Sequence, residues 1–233
     1  MFANGDNLKL EKHFVAYLEI LGYKEIIEEN REREVAKILK DILEKIQSDT
    51  EIAKLFFDDE DLRIKMVSGH LILSSRAKWS SVFSVSANIQ YNLAQYGIFV
   101  RGAICYDELY SDAEFIYGKA LAKAQKLTAE EALYPRILID QSFLDATQLT
   151  RTKSYFSTDF DGHIFVDYLR YFKFLYFYLE CDESALQLHR AYVIKNMEKY
   201  KGNAKVLMKY KWCKDYHNRF CGENSEYKNF VIE

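Results

Sequence analysis

Cys213, His217 and Cys221 recur every four residues, a spacing that puts all three on one stripe of a helix. Thiolate and imidazole so arranged are zinc-binding chemistry, and neighbouring members of the row could share an ion. The whole row cannot. It spans more than about 10 Å of helix axis, whereas zinc–ligand bonds are about 2.3 Å or shorter. A buried stripe is the better reading. His13, His163 and His189 stand alone, and no Ser–His–Asp or Cys–His arrangement is visible along the chain.

Anion and cation chemistry is concentrated elsewhere. Glu19 ends an apolar run, HFVAYLE, where it either holds a cation or pairs with a nearby lysine. Gly22, Tyr23 and Lys24 follow, at a strand-to-helix turn whose backbone N–H groups could cradle a triphosphate. Such turns are also common without a ligand. Lys65 could guard a sheet edge against aggregation. Arg101, in VRGA, reads as a structural cation pairing an acid across the sheet. Asp58, Asp59 and Asp61 form an acidic connector. The Tyr and Phe residues between 155 and 178 could stack a base, but such clusters more often form a core or a dimer interface.

The elements that position these residues follow from periodicity. Residues 13–19 alternate as a strand, and 24–47 carry apolar residues at helical spacing. KMVSGHLILS, within 62–75, predicts two short strands joined at Ser68-Gly69. A second helix spans 78–96, a strand 98–106, and a hairpin turns near Ser111-Asp112. A third helix covers 118–132 and a buried strand 135–140. Asp161-Gly162 predicts another hairpin. The aromatic run 169–180 is a helix or a strand, and 183–200 and 203–221 are two further helices. This order favours an α+β sheet with helices on one face. It divides the chain into residues 1–151 and a mostly helical extension, 152–233, on the same core.

The formal net charge of −3 argues against a general nucleic-acid binder. No apolar run is long enough to span a membrane. No signal-peptide pattern opens the chain, and four cysteines without a CxxC pair suit free thiols in the cytoplasm.

Four segments, VAYLEILGYK, KMVSGHLIL, IFVRGAICYDEL and YGKALAKAQKL, together resemble the class III nucleotidyl cyclase domain over residues 13–140. PRILID, DGHIFVDYL and KYKWCKDYHNRFC extend the resemblance to a group of uncharacterised bacterial cyclase-like proteins. The resemblance implies a ferredoxin-like antiparallel sheet with helices on one face, paired as a homodimer. It also implies attack of a ribose hydroxyl on an α-phosphate. Two Mg²⁺ or Mn²⁺ ions held by two aspartates neutralise the charge of that transfer.

At the positions this family uses, Glu19 replaces one metal-binding aspartate and Gly69 the other. His70 beside Gly69 is a poor ligand for a hard cation. Ala122 and Lys126 stand for the ribose-orienting asparagine and the transition-state arginine. Phe115 stands for a base-reading aspartate, and Lys65 keeps the base-reading lysine. The resemblance therefore implies a degenerate cyclase-like protein with no catalytic residues. It would bind a nucleotide through Gly22, Tyr23, Lys24 and Lys65, or bind a partner protein, in signalling or defence. Two alternatives stand beside it: an active, divergent cyclase with ligands relocated to Asp58, Asp59 or Asp61, and an interaction module without a nucleotide site.

Overall fold

The computed structural model describes residues 9–48, 59–149, 155–176 and 183–233. Strand β1 (Glu11–Ile20) sits between β3 and β4 and is buried on both faces. Phe14, Ala16, Leu18 and Ile20 point to one side, Val15 and Tyr17 to the other, as a period of two requires. β2 (Arg63–Val67) and β3 (His70–Ser75) form the hairpin predicted at Ser68-Gly69. Both turn residues have positive φ, 46° and 78°, the signature of a tight two-residue loop that matches strand twist. β3 lies antiparallel to β1, and β4 (Val100–Ser111) is antiparallel to β1 on its other side.

β5 (Ile116–Tyr117) turns back on β4. Asp112 closes that turn, its carboxylate accepting from the N–H groups of Glu114 at 2.8 Å and Phe115 at 2.6 Å. The sheet continues through β6 (Ile137–Ile139), β8 (Ile164–Val166) and β7 (Phe156–Thr158), giving the order β2-β3-β1-β4-β6-β8-β7. The β7–β8 turn contains Asp161-Gly162, as its sequence predicts.

The helices are α1 (Tyr23–Glu28), α2 (Glu32–Ser48), α3 (Trp79–Ala94), α4 (Lys119–Glu130), α5 (Gln141–Thr147), α6 (Tyr168–Tyr176), α7 (Glu183–Lys199) and α8 (Ala204–Glu223). A 3₁₀ turn, Ser225–Phe230, follows. α3 is buried almost all round, through Val82, Phe83, Val85, Ile89 and Leu93. Removing a ring such as that of Phe83 from water contributes about 2–3 kcal/mol.

Four expectations change. The 24–47 helix is two helices, because Asn30 takes a left-handed conformation (φ 54°) and the chain restarts at Glu32. Asn is among the few residues that accept that conformation. The sheet is mixed rather than antiparallel, since β6 runs parallel to β4; a parallel neighbour needs a long crossover, and α4 lies in that connection. Helices cover both faces rather than one: Ala120 and Ala124 of α4 pack with Val15, Ile72 and Cys105, opposite α3. α5 is an additional short helix, its first turn capped by Asp140.

One hydrophobic cluster includes Leu18, Phe83, Phe165, Phe172, Trp212 and Phe220, so the extension and the first section share a core. The Tyr91 and Phe172 rings stack at 3.8 Å. Arg136, fully buried, pairs with Asp159 and Asp161, while Trp212 Nε1 donates to Asp159 at 2.7 Å. Buried Asp167 accepts from Ser157, from Tyr216 at 2.7 Å and from the Arg170 N–H at 3.2 Å. It thereby caps α6 and ties it to α8. The last residues are clasped as well: Asn218 donates to Ile232 O and accepts from Ile232 N, both at 2.8 Å.

Candidate functional site at the end of the first strand

Register brings Glu19 opposite both His70 on β3 and Arg101 on β4. Arg101 donates to Glu19 Oε2 from Nε at 3.0 Å and Nη2 at 2.7 Å, and from Nη1 to Ala132 O at 3.3 Å. Arg101 is thus the cross-sheet partner its sequence position suggested, and Glu19 pairs with it rather than with a lysine. The Tyr23 ring lies on Gly69: a Cβ at that position would stand 2.3 Å from Tyr23 Cγ. The site where the resembled family needs a second aspartate is therefore filled by an aromatic face. His70 stacks on Tyr17, ring centres 5.2 Å apart, and its Nδ1 lies 3.3 Å from Val67 O.

These residues do not fit a divalent-ion cage. A hard cation wants several carboxylate oxygens; here one carboxylate is already matched by a guanidinium. Asp59 and Asp61 are not substitutes. Asp59 accepts from Ser75 at 2.7 Å, and Asp61 pairs with Arg76 at 2.6 Å. Ser75 is opposite Phe14, five residues or about 17 Å of strand from Glu19. Asp58 lies outside the described residues. No group of three or more His, Cys, Asp or Glu side chains among the described residues is arranged to hold a metal.

The four residues expected to hold a nucleotide are not gathered together. Gly22, left-handed at φ 72°, lines a cavity of about 240 Å³ walled by Glu25, Arg31, Tyr192, Asn196 and Tyr200. Tyr23 faces Gly69 instead. Lys24 extends into solvent, its side chain 90% exposed and 3.7 Å from Glu28. Lys65 Nζ is buried without a hydrogen bond, and its charge helps hold the Asp112 carboxyl below the usual range, after the Phe115 N–H, the Tyr110 hydroxyl and the Glu114 N–H. Neither lysine lines the Gly22 cavity. Ala122 lies on α4, Lys126 pairs with Glu130 at 3.9 Å, and Phe115 is 61% exposed.

The Cys213–His217–Cys221 stripe is buried, as its spacing suggested. Burial pushes the Cys221 thiol up to about 11 and Cys105 up to about 12, which removes the thiolate and its reactivity. His217 and His189 stack, with Nδ1 atoms 3.1 Å apart. His217 Nε2 is 3.0 Å from Phe230 O, which only accepts, so that nitrogen carries the proton. His217 Nδ1 then accepts from His189 Nδ1–H, and His189 Nε2 accepts from the Tyr168 hydroxyl at 2.7 Å. All members of this chain are neutral, and burial lowers the pKa of both histidines.

Lys205 and Lys209 escaped the sequence reading. They line a cavity of about 330 Å³ together with Arg101. The available signal was an acid-free stretch from Ala204 to Lys214 containing four lysines.

No family model matches the chain, and no curated protein matches its sequence. Among the described residues no helix is long and apolar enough to cross a membrane.

Proposed function

We propose that this chain is a cyclase-like protein that has left two-metal phosphoryl transfer and works as a cytoplasmic binding module for a nucleotide or a partner protein. One observation carries the reading: both metal-ligand positions implied by the resemblance are occupied by the protein's own side chains, Arg101 on Glu19 and Tyr23 on Gly69. The order β2-β3-β1-β4, with β1 antiparallel to both neighbours, is the one a ferredoxin-like sheet needs, and it supports the same reading. The ammonium of Lys65, buried, has the charge of Asp112 nearby but makes no hydrogen bond, and a hydrogen-bonding ligand there would lower the cost of leaving it unbonded. Exposed Val67 and Phe115, on two hairpins, support pairing with a second copy.

Isothermal titration of the full chain with ATP, GTP, CTP and UTP, with and without Mg²⁺ or Mn²⁺, tests the nucleotide form. Saturable binding of one nucleotide with no metal requirement is expected. Metal-dependent formation of a cyclic nucleotide would overturn the reading, and no binding to any of the four leaves the partner-protein form.

A further inference from the structure

The end of α4, strand β4 and the start of α8 enclose the cavity of about 330 Å³, within the size range of small-molecule sites. Arg101, Lys205 and Lys209 reach it from two elements, with Leu133, Tyr134 and Met208 as apolar walls. Lys205 and Lys209 have no ion-pair or hydrogen-bond partner among the described residues. Arg101 is matched by Glu19, so three cations against one carboxylate leave two positive charges uncompensated. Leu133 and Met208 are more than half exposed, at 54% and 56%.

We propose that this cavity binds a small organic phosphate, its phosphate between Lys205, Lys209 and Arg101 and its apolar body against Leu133, Met208 and Tyr134. A phosphate monoester carries about −1.5 to −2 charge near neutral pH, which matches the surplus. The apolar walls give an organic ester an advantage over inorganic phosphate. Burial, and then the charge of Arg101, lower the pKa of Lys209, a strain that an arriving anion relieves. This site uses side chains of the extension and does not depend on nucleotide binding at the Gly22 turn.

Phenyl phosphate is a suitable probe, followed by ¹H–¹⁵N NMR titration of the full chain. Saturable shifts around 205–209 are expected, with inorganic phosphate weaker and phenol without effect. Lys205→Gln combined with Lys209→Gln weakens phenyl phosphate at least about tenfold, as lost charge-assisted contacts do, while an unchanged urea midpoint shows that the fold is intact. Lys40→Gln, on the exposed face of α2, leaves affinity within about twofold. The proposal is overturned by an absence of saturation, by phenol binding as well as phenyl phosphate, or by a double variant that binds like the parent. Loss on Lys24→Gln alone would also overturn it, and would move the anion site to the Gly22 turn.

Discussion

The Tyr23 ring rests on Gly69, so close that an added Cβ would lie 2.3 Å from Tyr23 Cγ. Gly69 also has φ 78°, a conformation that L side chains resist. Gly69→Asp is expected to cost roughly 2–4 kcal/mol. Combining it with Tyr23→Ala removes the collision and leaves the backbone cost, so the two changes are strongly non-additive. Urea denaturation of the four proteins in the cycle measures this, and additive costs would exclude the ring-on-glycine account.

Arg101 and Glu19 behave as a unit in the same way. Their side chains are 17% and 29% exposed, so removing one partner strands a charge that is mostly out of water. Arg101→Ala and Glu19→Ala are each expected to destabilise by about 1–3 kcal/mol. The double variant should cost clearly less than the sum.

The stacked His189 and His217 pair makes stability depend on pH. Burial lowers both pKa values in the folded protein, while the unfolded chain titrates near 6.5. Below about pH 6.5 the unfolded state binds more protons, so stability is full above that pH and falls as pH drops through the interval down to the folded values. The slope is about 1.4 kcal/mol per pH unit for each histidine. Urea midpoints between pH 7.5 and 5.5 check the direction, and His189→Leu should flatten the curve.

Lys209 has a lowered pKa, from burial first and Arg101 second, whereas the Glu108 carboxylate raises that of exposed Lys119. More of the Lys209 amine is free at pH 8. A limiting amount of an amine-acylating reagent should label Lys209 ahead of Lys119, read by peptide mass mapping, and phenyl phosphate should protect it.

The strands and turns were legible because their signals are local. Ser68-Gly69 and Asp161-Gly162 announce hairpins by residue type, and the Cys213–His217–Cys221 row shows its own periodicity. The Asn30 break was not legible, since a single left-handed residue inside helical spacing leaves the apolar pattern intact. Arg101 was legible as a cross-sheet cation, but which acid it meets was not: Glu19 comes opposite it only through register across 82 positions. The parallel placement of β6 and the packing of α4 on the second face are likewise products of chain path. Lys205 and Lys209 were overlooked because a lysine pair on a helix looks like an ordinary solvated face until Arg101 is seen beside it.

The hold of Asn218 on Ile232, together with that of His217 on Phe230, makes residues 230–233 a latch. An exopeptidase that trims them would strip buried His217 and half-buried Asn218 of polar partners at once. Resistance to carboxypeptidase digestion therefore reports whether the helical extension is shut.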